Sequence, residues 1–268
     1  MAHVLSVQDL SCLGKCSLTV ALPVLSAMGC TCTPLPTAVL SSHTAFADPY
    51  VRSMTDTILP IGTHLKTAGA TFDVISVGYL SDPEQASAVA AVLDLFGAVK
   101  IIDPAIGDHG KLYSGLTEDH ISAMAQLCKK GDLLLPNLTE AAFLTGLPYR
   151  EEPDRVYCEE LLDGMLKFGA KAVILTDACA TPGKAGFACK CRTGEVFFYE
   201  AESLPGQYHG TGDLFAAVFA GAVALGKQFP DAATLAAGFV ETVIQATPEP
   251  TPFGVNFESC LPWLQERI

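Results

Sequence analysis

One stretch of the chain, Gly210-Thr211-Gly212-Asp213, combines residue types and a spacing that suit phosphate chemistry. Its two glycines allow a tight turn and a close approach of the backbone to a ligand. The alanine-rich apolar run that follows, to about Leu225, predicts a buried helix. We therefore expect the glycines at a helix N-terminus, where free N–H groups and the helix dipole favour an anion.

Asp213 is the unusual member of this stretch, because a carboxylate repels phosphate. Its presence makes sense if it faces a hydroxyl group that attacks phosphorus. The helix N-terminus should lower the pKa of Asp213 and make it a weak base, which suffices for a loose phosphoryl-transfer transition state. The alternative is a plain glycine turn in which Asp213 is an ordinary acid of the first helical turn.

A second pair, Asn137 and Glu140, opens another predicted helix. The spacing of three places both side chains near the same face. Their oxygens are hard ligands that suit Mg²⁺, directly or through water. The same spacing also fits a capping box with Asn137 as N-cap and Glu140 at the third helical position. The residues alone leave both interpretations open.

Asp103 and Asp108 lie at the two ends of a short turn, where two carboxylates can hold cations near ATP phosphates. The alternative is that Asp103 caps the turn and Asp108 is solvated. The chain contains no Gly-x-x-x-x-Gly-Lys-Ser/Thr, so a P-loop is excluded. A nucleotide must therefore be held in another way.

Composition narrows the class of protein. The 268 residues suffice for one large α/β domain, residues 1–268, and half of them are apolar. The net charge of −13 and the lack of a basic cluster argue against nucleic acid as a partner. The ten cysteines form no Cys-x-x-Cys pair and are expected to be reduced and buried rather than zinc-bound. No signal peptide or membrane span is recognisable, which predicts a cytoplasmic protein with no membrane partner.

Strand-like and helical segments alternate along most of the chain, which predicts a mainly parallel sheet with helices on both faces. His3–Gln8 is the expected first strand, followed by a polar turn that starts at Asp9. The segment 31–40 contains two prolines and is an unlikely central strand. Residues 103–112 are predicted to form a loop, and residues 184–202 a hairpin. Polar clusters follow the predicted strands, so we expect them to meet at one sheet edge.

The motifs resemble those of known kinases. The Gly-Thr-Gly-Asp turn and the Asn-x-x-Glu pair resemble the signatures of the ribokinase-like superfamily. Four further segments resemble the pyridoxal (vitamin B6) kinases, with Asp9 in place of their usual serine. In chain order these are Ser6-Val7-Gln8-Asp9 with Gly14, Leu35-Pro36-Thr37-Ala38-Val39-Leu40-Ser41-Ser42-His43-Thr44, Gly78-Tyr79-Leu80, and Asp103-Pro104-Ala105-Ile106-Gly107-Asp108-His109-Gly110-Lys111-Leu112-Tyr113.

The resemblance implies a ribokinase-like three-layer α/β/α sandwich and an ATP-dependent kinase that phosphorylates the 5′-hydroxymethyl group of B6 vitamers. Mg²⁺ is the implied cofactor, with a monovalent cation such as K⁺ as a further candidate, and a homodimer is the implied assembly. The implied catalytic residues are Asp213 as base, with Gly210, Thr211 and Gly212 as the anion hole. Asp9, His43, Thr44 and Tyr79 are the expected vitamer contacts. Asp108, Asn137 and Glu140 are the expected ligands of ATP and metal, joined on the ATP side by Thr176 and Asp177.

Three alternatives remain at this point. Hydroxymethylpyrimidine kinases of thiamine biosynthesis belong to the same superfamily but usually carry Gly-Thr-Gly-Cys where this chain has Asp213. Sugar and nucleoside kinases are usually longer and have an N-terminal Gly-Gly signature that is missing here. A non-catalytic B6-binding or storage protein would need no metal site, which the presence of Asn137, Glu140 and Asp213 argues against.

Overall fold

The computed structural model describes residues 1–181, 183–204, 206 and 208–268. Within these residues a nine-stranded sheet has the order β11-β10-β9-β8-β5-β4-β1-β2-β3. Its strands are β1 His3–Ser11, β2 Thr31–Leu40, β3 Val51–Ser53, β4 Val74–Val77, β5 Val99–Ile102, β8 Leu133–Leu134, β9 Ala172–Thr176, β10 Lys184–Cys191 and β11 Val196–Glu202. A separate hairpin consists of β6 Gly107–Asp108 and β7 Lys111–Leu112. The six strands β2, β1, β4, β5, β8 and β9 run parallel. The outer strands join through antiparallel pairs, β3 with β2, β10 with β9 and β11 with β10.

Helices cover both faces of the sheet. They are α1 Leu18–Ala27, α2 Thr55–Thr67, α3 Pro83–Leu95, α4 Glu118–Cys128, α5 Leu138–Thr145, α6 Arg155–Leu166, α7 Thr211–Ala224, α8 Phe229–Gln245 and α9 Leu261–Gln265. Helices α1, α7 and α8 share one apolar core, and α3 to α6 share the other. The predicted three-layer α/β/α architecture is confirmed.

Neighbouring residues of the central strands belong to opposite cores. Ile101 of β5 packs in the layer of α7, whereas Ile102 packs in the layer of α3 to α6. Leu133 and Leu134 of β8 divide in the same way. Both faces of the sheet are buried at these positions, which is why Ile101-Ile102 and Leu133-Leu134 are consecutive apolar residues instead of alternating patterns.

The first strand is longer than predicted. β1 continues to Ser11, because Leu10 and Ser11 pair with Val39 and Leu40 of β2. The register shifts between Gln8 and Leu10, so Asp9 lies at a bulge inside the strand. The prediction of a polar turn starting at Asp9 was therefore wrong. A bulge re-aims a side chain, and bulges are common beside active sites.

The prolines of β2 lie where the sheet has room for them. β3 pairs only with residues 38–40 of β2. Pro34 and Pro36 thus lie in the part of β2 that pairs with β1 alone, which suits residues that lack an N–H. The loop predicted for residues 103–112 contains the β6–β7 hairpin. No helix in the described part of the chain is long and apolar enough to cross a membrane.

Candidate active site

The Gly210 turn begins α7 as the sequence predicts. Gly210 is the N-cap residue with φ of 84°, a left-handed conformation that favours glycine. A Cβ atom at this position would lie 2.0 Å from the carbonyl oxygen of Lys15, so no larger residue fits. The first intrahelical bond runs from Leu214 N–H to Gly210 O at 3.0 Å. The N–H groups of Thr211, Gly212 and Asp213 precede it and point toward the helix entrance.

The electrostatics of Asp213 differ from the prediction. Burial, aided by the negative charge of Asp9, raises the pKa of Asp213 to about 7, and the backbone N–H of Ser17 only partly opposes this. The expectation that the helix N-terminus keeps this pKa low was wrong, because burial and a second carboxylate outweigh the dipole. A carboxylate that titrates near neutral pH is matched to the role of a general base.

Asp103 is the next carboxylate along the sheet edge, directly after β5. Its main-chain N–H bonds to Val77 O at 2.9 Å, and its side chain accepts a bond from Ala105 N–H at 3.2 Å. Burial and the charge of Asp213 raise the pKa of Asp103. Asp103 and Asp213 line a cavity of about 10 Å³ with Ser6, Gln8 and Ser76, a space that fits roughly one water molecule. The sequence predicted Asp103 at one end of a turn, as a candidate to hold cations near ATP phosphates, and gave no sign that it lies beside Asp213.

Asp9 lies beside the same turn and is 3% exposed. Its Oδ2 accepts a hydrogen bond from Ser11 Oγ at 2.8 Å. Burial raises the pKa of Asp9, while the hydroxyls of Ser17 and Ser11 and the nearby His43 lower it. The charge of Asp9 also helps burial to raise the pKa of Tyr79 to about 12. The structure thus brings Asp9, Tyr79, His43 and Asp213 together.

His43 is fixed by backbone contacts. Its Nδ1 accepts a bond from Ala45 N–H at 3.3 Å, which leaves Nε2 to donate to Pro252 O at 2.7 Å. The centre of the His43 ring lies 5.3 Å from the centre of the His209 ring, and His209 directly precedes the Gly210 turn. Thr44 follows in the same loop and is half-buried. His43 therefore connects the expected vitamer pocket with the glycine turn.

Asn137 and Glu140 form the capping box that was one of their two interpretations. Asn137 Oδ1 accepts from Glu140 N–H at 2.9 Å, and Glu140 Oε2 accepts from Asn137 N–H at 3.0 Å. The remaining polar atoms hold the loop before β6, because Glu140 Oε1 accepts from Ile106 N–H at 2.9 Å and Asn137 Nδ2 donates to Gly107 O at 2.8 Å. Helix α5 thereby fixes the loop that carries Asp108.

The other expected ATP-side residues lie at the same edge. Asn137 and Thr176 form a parallel β-bridge that extends the pairing of β8 with β9. Asp108 lies half-buried in β6, and its Oδ1 accepts a bond from His109 N–H at 2.7 Å. Asp177 follows Thr176 with φ of 58° and an exposed side chain. Asp108 and Asp177 are close enough for their charges to interact.

The two halves of the site are continuous. Burial and the charge of Asp103 raise the pKa of Glu140, so Asp103 lies between the α5 side and the α7 side. Burial and the charges of Glu140, Asp108, Asp103 and Asp213 together raise the pKa of Tyr113. Among the described residues no group of three or more His, Cys, Asp or Glu side chains is arranged to hold a metal ion by itself. All ten cysteines are free thiols.

Sequence reasoning missed two parts of this site. Ser17 has φ of 47°, unusual for a residue other than glycine, and contacts both Asp9 and Asp213. Cys16 lies beside it, and burial with the charges of Asp213 and Asp9 raises the pKa of its thiol. The signal that was available is their position in the segment between β1 and α1, directly downstream of Asp9.

Comparison with known proteins places the chain in a family. The family model for phosphomethylpyrimidine kinase matches residues 21–256. The chain therefore belongs to the phosphomethylpyrimidine kinase family.

Within that family the similarity extends to the pyridoxal kinases. The pyridoxine/pyridoxal/pyridoxamine kinase of Bordetella bronchiseptica is 29% identical over 92% of this chain and 89% of its own length. A Bacteroides thetaiotaomicron structure, described as a phosphomethylpyrimidine kinase with pyridoxal, is 33% identical with a TM-score of 0.92 over 98% and 95% of the two chains. Leishmania donovani pyridoxal kinase with ADP and pyridoxine is 25% identical with a TM-score of 0.88 over 98% and 95%. The resemblance to pyridoxal kinases of the ribokinase-like superfamily is confirmed.

Proposed function

We propose that this protein transfers the γ-phosphoryl group of ATP to the 5′-hydroxymethyl group of B6 vitamers, giving pyridoxal 5′-phosphate or its amine and alcohol forms. The observation that carries the proposal is Asp213. It combines a pKa of about 7 with a place beside the glycine turn and near Asp9, whose charge also acts on Tyr79. The similarity to kinases that bind ADP and these vitamers supports the same assignment.

In the proposed reaction Asp213 accepts the proton of the attacking hydroxyl group. The N–H groups of Thr211, Gly212 and Asp213 stabilise the negative charge that spreads over the transferred phosphoryl oxygens. The left-handed Gly210 permits the turn that aims these N–H groups. The site needs no cationic surface for this, which is compatible with a net charge of −13.

The ATP side of the site is proposed to use Asp108, Asn137, Glu140, Thr176 and Asp177. Mg²⁺ would neutralise the ATP phosphates there, and it commonly needs only one or two protein carboxylates besides phosphate and water. Asp108 is the more accessible of the two carboxylates among the proposed metal ligands, with its side chain 43% exposed, whereas Glu140 is 2% exposed. Asn137 and Glu140 serve this site through water and by fixing the loop that carries Asp108. A monovalent cation such as K⁺ is a further part of the proposal.

The vitamer ring is proposed to lie between the end of β1 and Tyr79. Tyr79 offers a flat apolar face, and Asp9 offers acceptor oxygens for a polar edge of the ring. His43 and Thr44 close the pocket on the side of the glycine turn. Proximity of these residues to Asp213 is what allows a ring substituent to reach the base.

Hydroxymethylpyrimidine kinase is the second candidate, favoured by the description of the matching family. Asp213, at a position where such kinases usually have cysteine, favours the B6 vitamers. ATP consumption by the purified protein with pyridoxal, pyridoxamine, pyridoxine and hydroxymethylpyrimidine separates the two. Higher kcat/KM for hydroxymethylpyrimidine would replace the proposal with this alternative, and stoichiometric vitamer binding without turnover would make the protein a binding or storage protein.

We also propose a cytoplasmic homodimer, on family resemblance. Light scattering at micromolar concentration measures the mass directly. A monomeric mass would contradict the dimer and leave the catalytic proposal unchanged, because every residue assigned above belongs to one chain.

A further inference from the structure

The C-terminal segment of residues 252–258 contacts two of the loops that build the proposed site. We propose that this segment, called the C-terminal clamp, positions Asp213 by holding the loop of residues 12–17 against the Gly210 turn. The inference rests on the proposed function, in which Asp213 is the base. Lys15 and Glu258 are its positioning residues, and neither is placed in contact with substrate.

The loop of residues 12–17 carries the group that orients Asp213. The backbone N–H of Ser17 faces the Asp213 carboxylate and its hydroxyl faces Asp9, and each group lowers the pKa of the carboxyl that it faces. Ser17 holds φ of 47°, a left-handed conformation that costs free energy for a residue with a side chain. Such a conformation persists only where surrounding contacts impose it.

Lys15 lies between two glycines that let the backbones meet. A Cβ atom on Gly210 would lie 2.0 Å from Lys15 O, and one on Gly254 would lie 2.9 Å from Lys15 Cβ. Both glycines are left-handed, with φ of 84° and 91°. The loop is therefore held on one side by the glycine turn and on the other by the clamp.

The Lys15 side chain ties the loop to the clamp a second time. Its Nζ lies 2.8 Å from Glu258 Oε2 and 5.7 Å from the ring centre of Phe257. The ion pair joins residues 243 positions apart in the chain. At the other end of the clamp, His43 Nε2 donates to Pro252 O at 2.7 Å. The clamp thus contacts the loops on both sides of the pocket.

The clamp itself is anchored in the core. Val255 and Phe257 are 1% and 2% exposed, and both belong to the apolar core that contains α1, α7 and α8. Asn256 N–H donates to Thr247 Oγ1 at 2.9 Å, next to the end of α8. A rigidly held segment can transmit its position to the loop, whereas an exposed ion pair alone contributes little to overall stability. Losing the ion pair should hence disturb the site more than the fold.

The test compares Lys15→Met and Glu258→Gln with Lys190→Met. Lys190 forms an ion pair with Asp163 whose exposures, 20% and 56%, match the 29% and 55% of Lys15 and Glu258. Lys190 pairs with Val173 near the start of β9, away from its carboxyl end. It is thus a control for the loss of one half-exposed ion pair.

We expect Lys15→Met and Glu258→Gln to lower kcat about three- to tenfold, since a displacement near 1 Å can cost up to about a hundredfold. KM for ATP and for the vitamer should stay within about twofold, and Tm should match that of Lys190→Met. The reciprocal pair Lys15→Glu with Glu258→Lys should recover part of kcat, because it restores the ion pair with reversed charges.

Hydrogen exchange gives a readout that needs no activity. The amides of Val20 and Ala21 bond to Ser17 O, and that of Leu214 bonds to Gly210 O. These three should exchange faster in Lys15→Met than in wild type and remain unchanged in Lys190→Met. Unchanged exchange, or a kcat that matches the control, would overturn the clamp. If wild type has no kinase activity, the proposed function is refuted. If the three amides nevertheless exchange faster in Lys15→Met, the clamp remains as a structural device.

Discussion

Two helix N-termini meet in this site, and each has an acid at its third helical position. In α5 the acid is Glu140, whose carboxylate accepts bonds from the N–H groups of Asn137 and Ile106. In α7 the acid is Asp213, and the N-cap is Gly210, which has no side chain. The same position in a helix therefore carries a structural carboxylate in one case and a candidate base in the other.

The N-cap residue accounts for the difference. Asn137 closes a capping box, so both Glu140 oxygens bond to backbone N–H groups and the residue is 2% exposed. Gly210 has no side chain with which to close such a box. The backbone N–H that faces the Asp213 carboxylate belongs instead to Ser17, in another part of the chain. An acid that its own helix does not engage keeps oxygens available for a ligand. An acid at the third helical position therefore indicates chemistry more clearly when the N-cap residue is a glycine than when the acid is considered alone.

The largest expected effect is that of Asp213→Asn. We expect kcat to fall by about two to four powers of ten with little change in ATP affinity, because both proton acceptance and orientation are lost. Turnover by calorimetry or coupled assay, with nucleotide binding measured separately, checks this. A rate near that of wild type would remove Asp213 from the mechanism.

The same variant should be more stable than wild type at pH 8. A folded pKa of about 7, above the ordinary value near 4, means that the stability contributed by protonated Asp213 is lost as pH rises from about 4 to about 7. Asparagine has no such loss, so unfolding at pH 8 should cost about 1–3 kcal/mol more in the variant. Denaturant titrations at pH 5 and pH 8 measure the difference, which should shrink at the lower pH.

The pH dependence of the reaction is the second test of the comparison. An Asp213 base with a pKa of about 7 should lose kcat/KM about tenfold per pH unit below that value. His209 is the nearby competitor, but burial and His43 lower its pKa, so its limb would lie at lower pH. Asp9→Asn should move the Asp213 limb to lower pH, since the negative charge of Asp9 contributes to raising the pKa of Asp213. A limb that stays in place in Asp9→Asn would assign it to another group.

The fold was predictable from the sequence because it depends on local patterns. Apolar runs bounded by glycine, proline and polar residues place β5 and α7 within a residue or two, and parallel strands then bring their following polar residues to one edge. The helix start at Asn137 was likewise predictable, since a capping box is a contact between residues three apart in the sequence.

Three unpredicted features depend on contacts between distant parts of the chain. The bulge at Asp9 comes from its pairing with β2, and the Lys15–Glu258 pair joins two ends of the sequence. The raised pKa of Asp213 depends on burial and on Asp9, neither of which the helix N-terminus reveals. A short motif identifies the candidate base, whereas its protonation behaviour is a property of the assembled site.

The α5 side of the comparison can be tested with Glu140→Gln and Asp108→Asn. Glu140→Gln should lower stability by about 1–3 kcal/mol, because an amide replaces an acceptor that faces a backbone N–H. Asp108→Asn should leave stability nearly unchanged. It should raise the Mg²⁺ concentration needed for half-maximal activity more than Glu140→Gln does. The reverse ranking of the two shifts would make Glu140 the principal metal ligand and the capping box secondary.

The smallest expected effect is on the choice between vitamers, through Asp9. Ser11 donates one hydrogen bond to Asp9, and a carboxylate has about four lone-pair sites, so acceptor positions remain for a ligand. Burial raises the pKa of Asp9, which makes its negative charge costly without a cationic partner. A carboxylate near the 4′ position favours the amine of pyridoxamine over the aldehyde of pyridoxal, whereas one near the ring nitrogen treats the vitamers alike.

We expect the first placement, so Asp9→Ser should lower kcat/KM for pyridoxamine about three- to tenfold more than for pyridoxal. The ratio is the informative quantity, because removing Asp9 also lowers the pKa of Asp213 and thereby changes the rate with every vitamer alike. Kinetics of wild type and Asp9→Ser with three vitamers give this ratio, and Tyr79→Ala serves as the control for the ring contact. A constant ratio would place Asp9 near the ring nitrogen. If neither variant changes kcat/KM for any vitamer, the pocket lies elsewhere, because a side chain that lines it must affect the binding of at least one substrate.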